Sequence, residues 1–505
     1  MRQSPPAPDA YPLAQDVPIA TSYHGAVENS INPALESACR RIKSRRSVRK
    51  PDLPPRPLSF LWQSGADECA AKEISPYAKI SLGTETGSFI YAATRDRLSA
   101  YSSEFSMPGA LNSDFVGTLS NMAPTHRSLL HFFLCETSRI ISCHQGVWDN
   151  LCRTLIPMAM EYPYLMSAVL ALSGNYYISS GASSSHTDAT LTAQLRNSSI
   201  AGLRSAFNAS TPVTEAVLAT AMLLCLSDIH SGIDATSSWR IHFQGAQAIM
   251  ETLGHSTAIL ESGNQDSSWR LLAQMYTSIE LIASLTVKGL PNGQRSKLAG
   301  SGNFIDEYFG ISTELLDTLY AIGAAAAERR RIDRDADRLT MQSYKDLLQQ
   351  ADSLEQTVRN MMAQSPLATT PFHPRMENHL SPEEKQQYLL CNEAYQHTAL
   401  INIHRRIRSL PGSRDIQASA QRILDIAGQM KPTSGLSPWL LMATPLFTAG
   451  SEATLSDRDR TRRLLGKLHD TIRITNYQSL LALLEIYWEK FDEGCVQNIE
   501  SILGM

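Results

Sequence analysis

Cysteine is scarce: eight in 505 residues, and no two are spaced Cys-x-x-Cys. That density excludes a disulfide scaffold. It fits a reducing compartment with mostly buried thiols. Long apolar runs are missing as well. The longest candidate, Ala216 to Leu226, is too short to span a bilayer. The opening Met1-Arg2-Gln3-Ser4-Pro5-Pro6-Ala7-Pro8 has no apolar core of a secretory signal. The expectation is a soluble, intracellular chain with no membrane partner. Excess positive charge is absent too. Lys+Arg is 45 against Asp+Glu 49, a formal net charge of −4. A chain that grips a polyanion over its whole surface would be basic, so any nucleic-acid contact must be local.

What is present suffices for a large core. Composition is 43% hydrophobic and 19% charged, ordinary for a globular chain. The length suggests about three domain-sized units, or one large helical domain with a tail.

Texture divides the chain near residue 120. Proline recurs at 5, 6, 8, 12 and 18, then at 51, 54, 55 and 57, with Gly, Ser and Thr in most of the gaps. Apolar residues there follow no period. Such a stretch buries too little to offset its chain entropy, so residues 1–120 read as a largely disordered arm. Inside it lies one basic block, Arg40, Arg41, Lys43, Arg45, Arg46, Arg49 and Lys50, with no acidic residue between 40 and 50. Mutual repulsion keeps such a block extended until an anionic surface neutralises it. It is the candidate site for nuclear import and for weak phosphate contact with DNA. Base-specific readout needs a rigid element in a groove, and the block supplies none.

Residues 121–505 carry helical periods. Leu129, Leu130, Phe132, Phe133 and Leu134 open one helix. Val147, Trp148, Leu151, Cys152, Leu155 and Ile156 share one face of the next. Pro163 fits the first position of a helix over 164–178. Thr211-Pro212 opens another, with Gly232 as its stop. Trp239 to Leu253 and a stretch around Leu271 to Ile282 follow. Later helices are expected over 312–332, 338–361, 383–409, 414–429, 456–473 and 477–491, with a proline-rich loop at 363–382. No series of alternating strands and no repeat of fixed period occurs. The fold class is therefore all-α, a multi-helix globular bundle behind a largely disordered N-terminal arm.

Reactive constellations are few. Gly-x-Ser-x-Gly, a phosphate loop and Gly-x-Gly-x-x-Gly are all missing. Asp333-Arg334-Asp335-Ala336-Asp337 is the nearest approach to a Mg²⁺ cradle, but its carboxylates at i and i+2 diverge on a helix. His131, Cys135, Cys143, His144 and Cys152 could be drawn as a zinc site, yet they lack the tight pairs of structural zinc. No catalytic residue, metal or cofactor is assigned. Leu480-Leu481-Ala482-Leu483-Leu484 satisfies a Leu-x-x-Leu-Leu partner pattern and reads more simply as a core stripe.

Six segments carry a resemblance. They are Leu130-His131-Phe132-Phe133 with Thr137-Ser138-Arg139; Ile156-Pro157-Met158-Ala159 into Tyr162-Pro163 and the run to Ser173; and Trp239-Arg240-Ile241-His242-Phe243-Gln244-Gly245-Ala246. Then come Asp306 to Leu316; Pro445-Leu446-Phe447-Thr448-Ala449-Gly450-Ser451-Glu452-Ala453; and Leu483 to Trp488. In this order over about 127–490 they resemble the fungal-specific transcription factor domain, the regulatory part of fungal zinc-cluster activators. Their glycines read as packing and turn residues: Gly245 for close helix approach, Gly310 for a positive-φ turn, Gly450 as a cap. The resemblance implies an all-α regulatory or assembly scaffold and no catalysis.

Members of that family commonly carry a six-cysteine binuclear zinc cluster at the N-terminus. Cys39-Arg40-Arg41-Ile42-Lys43 is similar to its second cysteine and basic loop, but Glu36 stands where the first would be, and Ser44 and Arg45 near the third. Only Cys69 follows before Cys135. Two thiols cannot ligate two zinc ions that need six. Either a cluster-less regulator or a chain lacking an upstream exon fits the residues.

The expected function is a nuclear transcriptional regulator acting through its all-α domain, controlling a metabolic or secondary-metabolite gene set. A protein partner or a second copy is expected, and a bundle of this size can enclose a small-molecule effector. The alternative is a non-DNA-binding partner or inhibitor of zinc-cluster activators. The remote alternative is an all-α enzyme.

Overall fold

The computed structural model describes residues 121–499, apart from 183–185, 209–213, 233–237, 253–267, 287–301, 335–340, 365–369, 411 and 497–498. The arm 1–120, with its expected disorder and its basic block, lies outside these residues.

The described residues form helices. In chain order they are α1 (Pro124–Phe132), a π-helical turn (Phe133–Thr137), α2 (Ser138–Ile140), α3 (Gln145–Glu161), α4 (Pro163–Ser179), α5 (His186–Asn208), α6 (Glu215–Ser231), α7 (Ser238–Thr252) and α8 (Ser268–Thr286). Then follow α9 (Thr313–Arg334), α10 (Met341–Ala363), α11 (Pro374–Glu377), α12 (Pro382–Asn402), a second π-helical turn (Ile403–Ile407), α13 (Arg414–Gln429), a 3₁₀ turn (Pro438–Met442), α14 (Ala443–Ser451), α15 (Leu455–Ile472) and α16 (Asn476–Asp492). Two isolated bridges, Ile305 with Ser312 and Ile305 with Phe372, are the β pairings among the described residues.

Local chemistry sets several boundaries. Pro163 opens α4, where its missing N–H costs nothing. Ser381 and Glu384 close a reciprocal capping box at the start of α12. Ser413 accepts from the Ile416 amide and starts α13 at the expected residue. Gly232 ends α6 at φ 63°, a left-handed conformation that favours glycine.

Two large apolar clusters organise the packing. The first gathers α1 and α3 to α8 around Leu155, Leu165, Leu218, Met222 and Phe243. The second gathers α9, α10 and α12 to α16 around Leu319, Ile401, Ile423, Trp439, Leu446 and Leu484. α8 serves both, with Leu271 to Ala283 in the first and Leu281 and Leu285 in the second. α4 and α6 are apolar on nearly every side because helices surround them. The run Ala216 to Leu226 is thus core, and no helix among the described residues is long and apolar enough to cross a membrane.

Several features differ from the sequence expectation. Neither α5 nor α14 was anticipated. The 363–382 loop contains α11, and Phe372 and Met376 join Ile305 and Tyr388 in a small third core. Gly450 is no cap. It sits inside α14, where an added Cβ would meet Leu484 Cδ1 at 2.6 Å and Thr461 Cγ2 at 2.9 Å.

Candidate functional site

Most residues that could react are occupied by neighbours. The candidate residues Arg40, Arg41, Lys43, Arg45, Arg46, Arg49 and Lys50 lie outside the described residues, as do Cys39, Cys69, Asp335 and Asp337. Asp333 near the end of α9 receives Arg329 Nε on both oxygens at 2.9 and 3.1 Å. It is an ion-pair partner rather than half of a metal cradle.

The drawn zinc set does not converge. His131 Nε2 and Cys135 Sγ come within 3.5 Å across one turn. Cys143 is buried elsewhere, donating toward the carbonyls of Glu307 and Tyr308, and burial pushes its thiol up to about 12. Burial also raises Cys152 to about 12. A thiol held protonated is a poor ligand. His144 spends its Nδ1 on the Gly146 amide, capping α3.

Among the described residues one group places three ligand-type atoms close together: Glu355, His404 and Asp415. A cation already sits there. Arg359 reaches Glu355 at 2.8 Å and Asp415 at 2.7 Å, while Arg408 joins Glu355 at 2.8 Å to Asp352 at 2.7 Å. Against its desolvation, the Arg359 hydrogen bond and the charges of His404, Arg408 and Arg359 hold the Glu355 carboxyl below its usual range. Two fixed positive charges oppose a divalent ion, so the cluster is a network tying α10 to the second π turn and α13.

That π turn is a junction. Arg405, 4% exposed, pairs with Glu452 at 3.3 Å and donates to Ser451, while Arg406 donates to the Ser284 carbonyl at 2.6 Å. An extra residue in the helical turn re-aims successive side chains, here toward α14 and α8. In the first cluster, Asp228 of α6 receives Arg196 of α5 on two oxygens at 2.9 and 3.0 Å and faces His242 of α7 at 3.4 Å. Burial lowers His242 to about 4, so it stays neutral. These groups position helices.

The Leu-x-x-Leu-Leu stretch is core. Leu484 is fully buried, and Leu480, Leu481 and Leu483 pack on the second cluster.

Two open concavities lie among the described residues. One, about 380 Å³, is lined by His131, Phe132, Cys135, Glu136, Tyr176 and Ser180 beside the first π turn. The other, about 700 Å³, lies between the start of α4, the end of α5 and the start of α6, with Tyr162, Tyr164, Ser198, Gly202, Ser205 and Val217 in its wall. An added Cβ on Gly202 would lie 2.6 Å from Tyr164 Cβ, so the glycine lets the two helices meet at the floor of this groove. Sequence reasoning missed the α5 side. The signal available was Leu191, Leu195, Leu203 and Phe207 at multiples of four, interrupted by Ser199.

The motif residues have structural duties throughout. Asp306 accepts from the Tyr308 and Phe309 amides at 2.8 and 3.0 Å and holds the turn that Gly310 closes at φ 64°. Phe243 stacks on Tyr276 with centroids 5.0 Å apart. Residues 128–499 match the fungal specific transcription factor domain. The chain belongs to that family. No curated protein and no solved structure matches it. Membership of the fungal specific transcription factor domain family carries a transcription-factor-type regulatory role, and such domains are in general nuclear and non-enzymatic.

Proposed function

We propose that this member of the family is a nuclear regulator of a metabolic or secondary-metabolite gene set, in which residues 121–505 are the regulatory and assembly domain. The observation that carries this reading is the family match over 128–499, laid on helices whose polar groups are spent on caps, ion pairs and packing. A protein partner or a second copy engages the helical domain, and an effector reaches it through an open groove. Arg40, Arg41, Lys43, Arg45, Arg46, Arg49 and Lys50 supply import and phosphate attraction, because clustered cations are read by both. Catalysis has no part in this reading.

The test uses the full tagged chain in a fungal cell. Replacing Arg40, Arg41, Lys43, Arg45 and Arg46 by glutamine is expected to move the protein out of the nucleus while its circular dichroism stays unchanged. Unchanged nuclear distribution would remove the assigned role of the block. Transcript profiling on deletion and overexpression tests the gene set, and a profile without a metabolic cluster would count against it.

A second reading, a partner or inhibitor of zinc-cluster activators without DNA contact of its own, is favoured by one observation: residues 1–134 hold only Cys39 and Cys69. Co-purification with a zinc-cluster activator, together with no DNA occupancy once that activator is deleted, would select it.

A further inference from the structure

The 700 Å³ groove has a chemistry of its own. Its volume falls in the range of about 300–1,000 Å³ used for small molecules. Two phenol rings, Tyr162 and Tyr164, line it with centroids 5.7 Å apart, flanking Pro163. Ser167, Ser198, Ser205 and Thr214 add hydroxyls, and Val217 and Ala206 add apolar surface. No lysine or arginine is among its described lining residues. Carboxylates adjoin it instead. Glu161 directly precedes the lining residue Tyr162 and Glu215 directly follows the lining residue Thr214, and the two carboxylates push the Tyr162 phenol above its ordinary range. Ser268 donates to Glu215 and fixes that carboxylate at the start of α6.

Electron-rich rings beside two carboxylates, with no cation among the described lining residues, attract one class of guest. A cation gains from the ring quadrupole and from the charge pair together. An anion of the same shape meets repulsion. We propose that this groove binds a small organic cation, an amine or amidine on a flat apolar body, with the body against Tyr162 and Tyr164 and the charged head toward Glu161 and Glu215. The serines of α5 accept or donate along its edge. This deepens the effector reading above by giving the effector a place and a charge. Binding is read on the purified chain, so its failure leaves the regulatory role to be decided by the transcript experiment.

The test uses two probes sharing one ring, tryptamine and indole-3-acetate, with neutral indole as the control, titrated calorimetrically into the full chain at pH 7. Tryptamine is expected to bind at least about tenfold more tightly than indole-3-acetate. Glu161→Gln, at an exposed position, is expected to weaken tryptamine by about threefold, the scale of an exposed ion pair, and to leave indole unchanged. Ser205→Trp, on the exposed side of α5, is expected to fill the groove and abolish binding with an unchanged circular dichroism spectrum. Equal binding of all three probes, binding of none, or full binding by Ser205→Trp would each overturn the proposal.

Discussion

The indole nitrogen of Trp488 donates to the Gly450 carbonyl over 2.9 Å, pinning α16 against α14. The contact is close because Gly450 has no side chain, and Leu484 and Thr461 fill the space a Cβ would take. Arg458 and Arg462 lie over the other parts of the Trp488 ring, at 5.4 and 5.1 Å, and pair with Asp492 and Glu485. The Pro445–Gly450 and C-terminal Trp488 segments thus meet each other in space.

Gly450→Ala separates packing from propensity. In an uncrowded helix the change would stabilise by about 0.5–1 kcal/mol. Here the new methyl meets atoms at 2.6 and 2.9 Å, so the expected outcome is a loss of roughly 1–3 kcal/mol. Urea unfolding followed by tryptophan fluorescence measures the sign. A raised midpoint would show that Leu484 yields at no cost.

Acid should loosen the protein through buried histidines. His144 accepts the Gly146 amide and His373 the Arg375 amide, so each cap needs a neutral imidazole. Burial lowers both, and His379 and His373 disfavour a cation on His144 further, against a weaker pull from Glu384. Burial takes His230, His242 and His397 to about 4. The folded state therefore binds fewer protons than the unfolded chain below the ordinary value near 6.5. Stability from these groups is complete above about pH 6.5 and is lost as pH falls toward 4, at up to roughly 1.4 kcal/mol per pH unit for each histidine. Unfolding free energies measured from pH 7 to 5 test this. His144→Asn, which can cap without titrating, is expected to flatten the dependence, and His144→Ala to cost about 1 kcal/mol at pH 7.

How much of this was legible in advance follows from what each element depends on. α13 runs Arg414–Gln429 as anticipated, because Ser413 caps it and Ile416, Ala420, Ile423 and Ala427 mark one apolar face. α5 was not legible, because Ser199 lies fully buried in the middle of its stripe, where an apolar residue was expected. The π turns left no trace: an inserted residue changes hydrogen-bond register and not residue type. The groove was hidden for a related reason. Its wall combines three helices, and one of them was α5.

Arg405 and Glu452 illustrate what such a register change places in the core. Both are nearly out of water, at 4% and 8% exposure. Removing either charge upsets a buried ion pair, so Glu452→Leu or Arg405→Met alone is expected to cost about 3–5 kcal/mol. The double variant should recover much of that loss, since an apolar pair of similar volume carries no desolvation penalty. Thermal unfolding of the two singles and the double forms the cycle. Strict additivity would mean the pair is not coupled.

Salt dependence can separate attraction from recognition. If the seven cations between 40 and 50 act on DNA phosphates, log K on random duplex should fall linearly with log salt, by about 0.9 for each phosphate neutralised. Glutamine at all seven positions is expected to remove that slope. Because phosphate contacts carry no sequence information, affinity for random and genomic promoter sequences should be the same at every salt concentration. A preference that survives at high salt would require a reading element beyond the basic block, and would turn the assignment from a tethered regulator to a sequence-specific one.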